Sequence, residues 1–351
     1  MYIYYLQILL LLLTGCIFRG HKKSQRMMTG YSLFFIMFFV MAFRDLSVGV
    51  DTYSYSEMYK SISTHRFADI WLDESNRYIM LYALFMKCVS YLSDSYFLFQ
   101  AVFSMVYSGL IVRFLLKNTN DIFFCGLIYI CCGLYLGTFN IQRQMLAVAI
   151  LMNGWCYIVD EKKWKAVLLL AIAGLIHLTA FVFLFAYFSY LLCKKYKLMI
   201  KVLPIIMLVI SMGYSVVLQY SSQYLLMFNN YLDNHKGTQE AGGIYIIWCV
   251  ISLLSLYLVY FSGKKTSTVS KLAGVFSLQF VFANLVGMEF NYLERLGTYF
   301  LPFTLIVYEQ IWFCIKNKHI ASFYKIAVGV CYLFYYYLSF NSEQYHYKLY
   351  F

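Results

Sequence analysis

Two prolines in 351 residues, and charge on only 13% of them, leave little from which to build a soluble domain. Soluble domains are about a quarter charged and nearer half apolar. Here 62% of residues are hydrophobic and the mean hydropathy is +0.66. No CxxC or Cys/His spacing suggests zinc. The ten cysteines fall mainly inside apolar runs, as Cys125, Cys131 and Cys132 do. Buried thiols behave as small hydrophobes, so disulfides do not follow either. No glycine-rich phosphate loop marks a nucleotide cofactor site. Met1–Phe18 lacks the basic start of a cleaved signal, its positive charge coming after the apolar run. That pattern predicts a retained first span with an external N-terminus. Internal repeats and low-complexity tracts are also missing, and the chain reads as a single integral membrane domain over 1–351.

What the chain does have is apolar runs near the 20 or so residues that a spanning helix needs, recurring from end to end. Barrel strands would alternate over about 10 residues, and "LQILLLLLTGCIF" does not alternate. The expected fold is an all-α polytopic membrane protein of roughly 10–12 transmembrane helices. Spans are expected near 2–18, 28–43, 95–116, 122–138, 141–159, 199–218, 243–262, 272–288, 296–315 and 320–340. Two segments are irregular: 77–94 is short and carries Lys87, and 166–192 is too long for one span and too short for two. The formal charge of +12 invites a nucleic-acid reading, but the cations cluster in short loops such as "RGHKKSQR" (19–26), "DEKKWK" (160–165) and "CKKYK" (193–197). Cytoplasmic loops look like this under the positive-inside rule, so no nucleic-acid partner is expected. Placing the basic loops inside leaves 44–77, 139–144, 219–242 and 289–295 outside. It also makes 77–94 and 166–192 short or re-entrant, unless one basic loop lies outside.

Four polar islands then share the outer face, and charge at membrane depth marks function by default. The first is "FRDLSVGVDTYSYSEMY" (43–59) with "WLDESNRY" (71–78), carrying Arg44, Asp45, Asp51, Glu74 and Arg77. Gly49 is free to take φ > 0 and aim Asp51 back at the membrane. Tyr53, Tyr55 and Tyr59 suit sugar rings, or equally an interfacial tyrosine belt. In the second island, Asn140, Arg143 and Gln144 form the first turn of an apolar helix. A cation there opposes the helix dipole but suits a phosphate; a snorkelling arginine would look the same. The third is His177 in "GLIHLTA", either a core histidine or a base. The fourth, "EFNYLERLGTYFLPF" (289–303), places Glu294 and Arg295 at an expected helix start.

In order along the chain, "RDLSVGVDTYSY", "DESNRYIMLY", "FNIQRQMLAVAI", "GLIHLTA" and "ERLGTYF" resemble the EpsG family of bacterial exopolysaccharide and capsule loci, over about residues 28–310. The Arg44-to-Tyr55 and Asn140-to-Gln144 patterns are the specific parts, with Val50 standing where a small polar residue is common. The resemblance implies a Wzy-like polysaccharide polymerase of the bacterial cytoplasmic membrane, a glycosyltransferase whose architecture could be GT-C-like. Its substrate would be a lipid-linked oligosaccharide on polyprenyl diphosphate. Membrane lipids, a chain-length regulator and the flippase of the same pathway are the other expected partners. On that reading Arg143 holds the diphosphate, with Arg44 and Arg295 assisting. Asp51 is the first choice of base and His177 the second. Asp45, Tyr55, Glu74, Arg77, Asn140, Gln144 and Glu294 complete the substrate site. No cofactor is implied; Asp45, Asp51 and Glu74 could hold a divalent metal, though no spacing compels one. A flippase for the same lipid, or a membrane acyltransferase modifying the polymer, are the alternatives. A flippase would normally show two related halves, and none are seen.

Overall fold

A computed structural model describes residues 2–18, 20, 22–72, 79–222, 244–263, 266–287 and 291–350. Glu74, Arg77 and Glu289 lie outside these. The described chain is helical: α1 Tyr2–Ile17, α2 Lys23–Ala42, α3 Thr52–Thr64, α4 Phe67–Leu72, α5 Met80–Ser90, α6 Tyr96–Asn118, α7 Ile122–Cys131, α8 Leu134–Gly137, α9 Gln142–Val159, α10 Lys163–Ile176, α11 Leu184–Lys195, α12 Met199–Ser222, α13 Ile244–Leu256, α14 Thr268–Gly287, α15 Asn291–Gly297, α16 Phe303–Cys314 and α17 Lys318–Phe340. No strand occurs among the described residues, only an isolated antiparallel bridge between Arg44 and Leu349. Six helical stretches are long and apolar enough to cross a membrane, and shorter apolar helices accompany them. The chain is an all-α, multi-pass membrane protein, as its composition predicts.

It divides into two compact units, one of residues 1–181 and 325–351, the other of 182–324. In the first, α2 packs along α6, and α9 packs against both α6 and α10. At one end of this unit α6 runs out and Arg26 donates to the exposed carbonyls of Leu116, Thr119 and Asn120 at 2.7–2.9 Å. A cation is well placed at a helix C-terminus, where the unsatisfied carbonyls concentrate negative charge. Asp121 caps α7 by accepting from Phe124 N–H at 2.9 Å, and pairs with Lys325. The other end gathers the close of α2, the start of α6, the start of α9, and α3. In the second unit α14 is central and packs against α12, α13, α15 and α16.

Three departures from the expected spans have local causes. The 122–138 span breaks because Gly133 takes φ +89°, which ends α7 and turns the chain into α8. The 296–315 span is also divided: α15 closes at Gly297, and Pro302 begins α16, a place where a missing N–H costs nothing. Arg295 therefore lies in the last turn of α15, where it suits the dipole, and not at a helix start. Of the stretch 44–77, read as a polar loop, the described residues 44–72 are largely helical. Thr52, Tyr55, Ser56, Tyr59 and Ile62 form the buried stripe of α3, at the 3.6-residue period. The irregular segments stay irregular. At 11 residues, α5 is only about 16 Å long, with the buried Lys87 donating to Ser63 O on α3 at 2.8 Å. The second breaks at His177, which is extended (φ −152°, ψ 115°) and followed by a 3-10 stretch, Leu178–Phe183.

Candidate functional site

Asp51 and Arg143, 92 positions apart in sequence, belong to two segments joined by side-chain-to-backbone hydrogen bonds. Gly49 takes φ +93°, and a Cβ there would stand 2.3 Å from the carbonyl oxygen of Phe139. Only glycine fits so close an approach in that conformation. Beside it, Val50 N–H donates to Asn140 Oδ1 at 2.8 Å, and Thr52 Oγ1 donates to Phe139 O at 3.0 Å. The turn is set from within by Asp45, whose Oδ1 accepts from Ser47 N–H at 3.0 Å and Ser47 Oγ at 2.7 Å. Those two bonds hold the Asp45 carboxyl below the usual carboxylate range.

Asp51 occupies the N-cap position of α3, yet its carboxylate makes no cap hydrogen bond. One turn on, Tyr55 is buried at 6% exposure, and burial raises its pKa, so it is a neutral phenol at pH 7. Arg143 pulls against that rise by its charge and by hydrogen bonds from its guanidinium and backbone N–H. Tyr55 thus lies against the first turn of α9, where it feels both the Arg143 cation and the Asp51 carboxylate. Arg143 is half-buried, and its Nε has no acceptor. Gln144 is buried in the same turn at 2% exposure.

Arg44 is placed differently. It is 0% exposed, with Nη1 donating to Met41 O at 2.7 Å and the guanidinium 4.6 Å from the Phe139 ring centroid. Its Nε and Nη2 have no partner. His177 lies at the end of α10, its Nδ1 2.7 Å from Thr179 Oγ1. The α9–α10 hairpin is registered where Gly154 faces Leu169. Counting eight residues along each helix from there brings His177 level with Leu146, about one turn from Arg143. Glu294, half-buried, and Arg295, exposed, belong to the second unit, on α15 against α14. Of the three tyrosines offered for sugar stacking, only Tyr53 is exposed; the Tyr59 hydroxyl donates to Ser93 O at 2.7 Å inside the α3 packing.

Several residues that build this end were not singled out from sequence. Gln142 is fully buried, accepting from Tyr82 hydroxyl at 2.9 Å and donating to Tyr96 hydroxyl at 3.3 Å. Gln100 ties off α2, its Nε2 donating to Ala42 O at 2.9 Å and Arg44 O at 2.8 Å. The C-terminal residues 342–350 run back over the Arg44–Gly49 turn. Asp45 N–H donates to Lys348 O (2.9 Å), Gly49 N–H to Gln344 O (2.7 Å), and Tyr350 N–H to Phe43 O (3.0 Å). Asn140 Nδ2 adds a bond to the Tyr345 hydroxyl at 2.9 Å. A groove of about 420 Å³ lies toward the opposite end of α6, against Tyr31, Gly109, Arg113 and Lys117, and includes none of these residues.

The EpsG family model matches residues 27–351, nearly the whole chain and through the C-terminal segment. The chain belongs to the EpsG family. No curated protein and no solved structure matches it. Membership makes this EpsG-family chain an exopolysaccharide-related membrane protein of polymerase-like kind. Among its described residues no group of three His, Cys, Asp or Glu side chains is positioned to hold a metal. The Asp45 carboxylate is bonded to Ser47.

Proposed function

We propose that this protein is a polysaccharide polymerase. It transfers a growing glycan from polyprenyl diphosphate to a hydroxyl of the next lipid-linked repeat, at the outer face of the bacterial cytoplasmic membrane. The observation that carries the reading is the junction of the Asp51 turn with the start of α9, the turn that bears Arg143. Val50 N–H on Asn140 Oδ1, the Thr52 hydroxyl against Phe139 O and the close approach at Gly49 fasten one segment to the other.

In the proposed reaction the acceptor hydroxyl oxygen attacks the anomeric carbon of the donor glycan. The bond from that carbon to the diphosphate oxygen breaks, and its electron pair leaves on the diphosphate. The Arg143 guanidinium receives the charge that develops there. Arginine suits this task because its planar fork meets phosphate oxygens two at a time. Arg44, in the same compact unit, assists in the diphosphate site. Asp51 takes the acceptor proton, a step typically worth 10²–10⁴-fold. His177, at the end of α10, is the second candidate for that proton. Asn140 fixes the Asp51 turn to Arg143, and Tyr55 holds the Arg143 side chain between them.

Asp51→Asn tests the assignment, since it keeps the shape of the side chain and removes its basicity. The variant should bind lipid-linked substrate as the unaltered protein does while transfer falls at least 100-fold. Full transfer activity in Asp51→Asn would move the base elsewhere, with His177 next in line.

A further inference from the structure

Arg44 is the one fully buried arginine among the described residues, and it is not neutralised by a carboxylate. The titratable groups acting on it are the phenols of Tyr96, Tyr135, Tyr347 and Tyr4. One guanidinium nitrogen donates to Met41 O, the ring of Phe139 covers a face, and Nε and Nη2 have no acceptor. A buried charge without a partner is costly, and unmade hydrogen bonds add to the cost. Such a group invites an explanation in terms of what it binds when the structure opens.

The cover over it is a short extended segment, with Tyr345, Tyr347 and Tyr350 set against the rings of Phe139, Tyr4 and Phe97. Beyond α17 the chain is a strap, residues 342–350, with no helix of its own longer than the single 3-10 turn Glu343–Tyr345. Its side chains alternate, Tyr345 and Tyr347 turned inward, His346 and Lys348 exposed. Three backbone hydrogen bonds hold it to Phe43, Asp45 and Gly49. Two tyrosine hydroxyls add to these, Tyr347 donating to Val40 O at 3.0 Å and Tyr345 accepting from Asn140. Leu349, opposite Arg44 in the bridge, is 60% exposed and adds little burial. Such a segment opens locally far more easily than a packed helix. When it lifts, the Asp45 and Gly49 N–H groups lose their acceptors while the cover over Arg44 goes. The same motion therefore turns two backbone donors and a planar cation toward whatever enters.

We propose that Arg44 is an anion subsite covered by the C-terminal strap, and that a phosphate-bearing group displaces the strap in order to bind there. The inference rests on the proposed function in taking the anion to be a diphosphate. Binding replaces three backbone bonds and two hydroxyl bonds with charge-assisted ones from Arg44, Asp45 N–H and Gly49 N–H.

Limited chymotrypsin trimming of the protein in lipid nanodiscs, followed by intact mass, tests this. Without ligand, cleavage after Tyr345, Tyr347 and Tyr350 should be slow, because the strap is bonded down there. Inorganic diphosphate or farnesyl diphosphate should speed cleavage within 342–350 by tenfold or more. A response to the prenyl form alone assigns the lipid-linked source, and a response to both includes the free anion. Arg44→Met should abolish the response while leaving the helical content unchanged. Hydrogen exchange on the unaltered protein supplies a second readout that needs no variant: the Asp45 and Tyr350 amides should exchange faster with diphosphate present. Unchanged or slower trimming and exchange overturn the proposal, as does a response that survives in Arg44→Met. A polymerase whose strap stays down keeps the function and loses this inference. A strap released through Arg44 in a protein that forms no polymer keeps the inference and loses the function.

Discussion

Replacing Gly49 with alanine should separate the two halves of the candidate site more cleanly than touching either charged residue. The glycine takes φ +93°, a conformation that costs an L residue about 1–3 kcal/mol. Its new Cβ would also meet the Phe139 carbonyl oxygen at 2.3 Å, a backbone atom that cannot swing aside as a side-chain tip would. Moving that carbonyl breaks its bond from Thr52 Oγ1, worth about 0.5–1.5 kcal/mol. Together these give a local cost of about 2–4 kcal/mol. The chain can relieve most of it only by letting the 49–52 turn drift from the start of α9. A drift on the order of 1 Å between reacting groups can cost about 100-fold in rate. The expected result is transfer reduced about 100-fold, with the protein still in the membrane and a lowered midpoint in a thermal scan. Alanine at Gly213 is the matched control, because a Cβ there meets nothing within 4 Å. It should leave transfer unchanged and add up to about 1 kcal/mol of helix stability. Transfer by Gly49→Ala within twofold of the unaltered protein would refute the claim that this turn sets the spacing of Asp51 and Arg143.

Other outcomes follow from the same contacts. Asp121→Ala loses the α7 cap, worth about 1 kcal/mol, and leaves the partly buried Lys325 without its carboxylate. A drop in thermal midpoint larger than that of Asp121→Asn, which keeps a capping oxygen, is expected by differential scanning fluorimetry. Asp45 has a depressed carboxyl pKa in the folded protein, so its contribution is complete above its unfolded value of about 3.9. That contribution is lost as pH falls through the lower folded value. Proteolytic nicking of the 44–51 turn should therefore stay constant from pH 7 to pH 5 and rise only in stronger acid. Ser47→Ala should raise the pH at which it begins.

Much of the fold was legible because hydrophobic run length is itself the physics of spanning a bilayer. The boundaries of α1, α6 and α9 fall within one or two residues of the apolar runs. Where the reading failed, a local rule had been outweighed. The 44–77 stretch looked like a loop because its exposed side is polar, although Thr52, Tyr55, Tyr59 and Ile62 already carried the helical period. Gly133 and Pro302 broke two expected spans at positions where breakers stand in plain view. Within the site, the glycine at 49 and the arginine in the first turn of α9 could be reasoned out, since each is chemically ill-suited to a bland role. The stitches could not. Val50 to Asn140, Tyr55 to Arg143 and Gly49 to Gln344 each use a backbone group on at least one side, which every residue carries and no pattern advertises. The C-terminal strap escaped for the same reason, although the alternation of Tyr345 and Tyr347 around His346 hinted at an extended segment with one inward face.

The central claim is that the start of α9, with Arg143, serves a polysaccharide polymerase. The direct measurement is a ladder assay: purified protein in lipid, given the lipid-linked repeat unit of its own locus, beside Arg143→Ala at matched amount. The account predicts a ladder of repeat units from the unaltered protein and at least a 100-fold loss in the variant, the size expected when a charge-stabilising donor is removed. A variant ladder of normal length and rate would contradict the role of Arg143. Well-folded protein that makes no ladder, and instead moves the lipid-linked substrate across the bilayer, would contradict the polymerase itself.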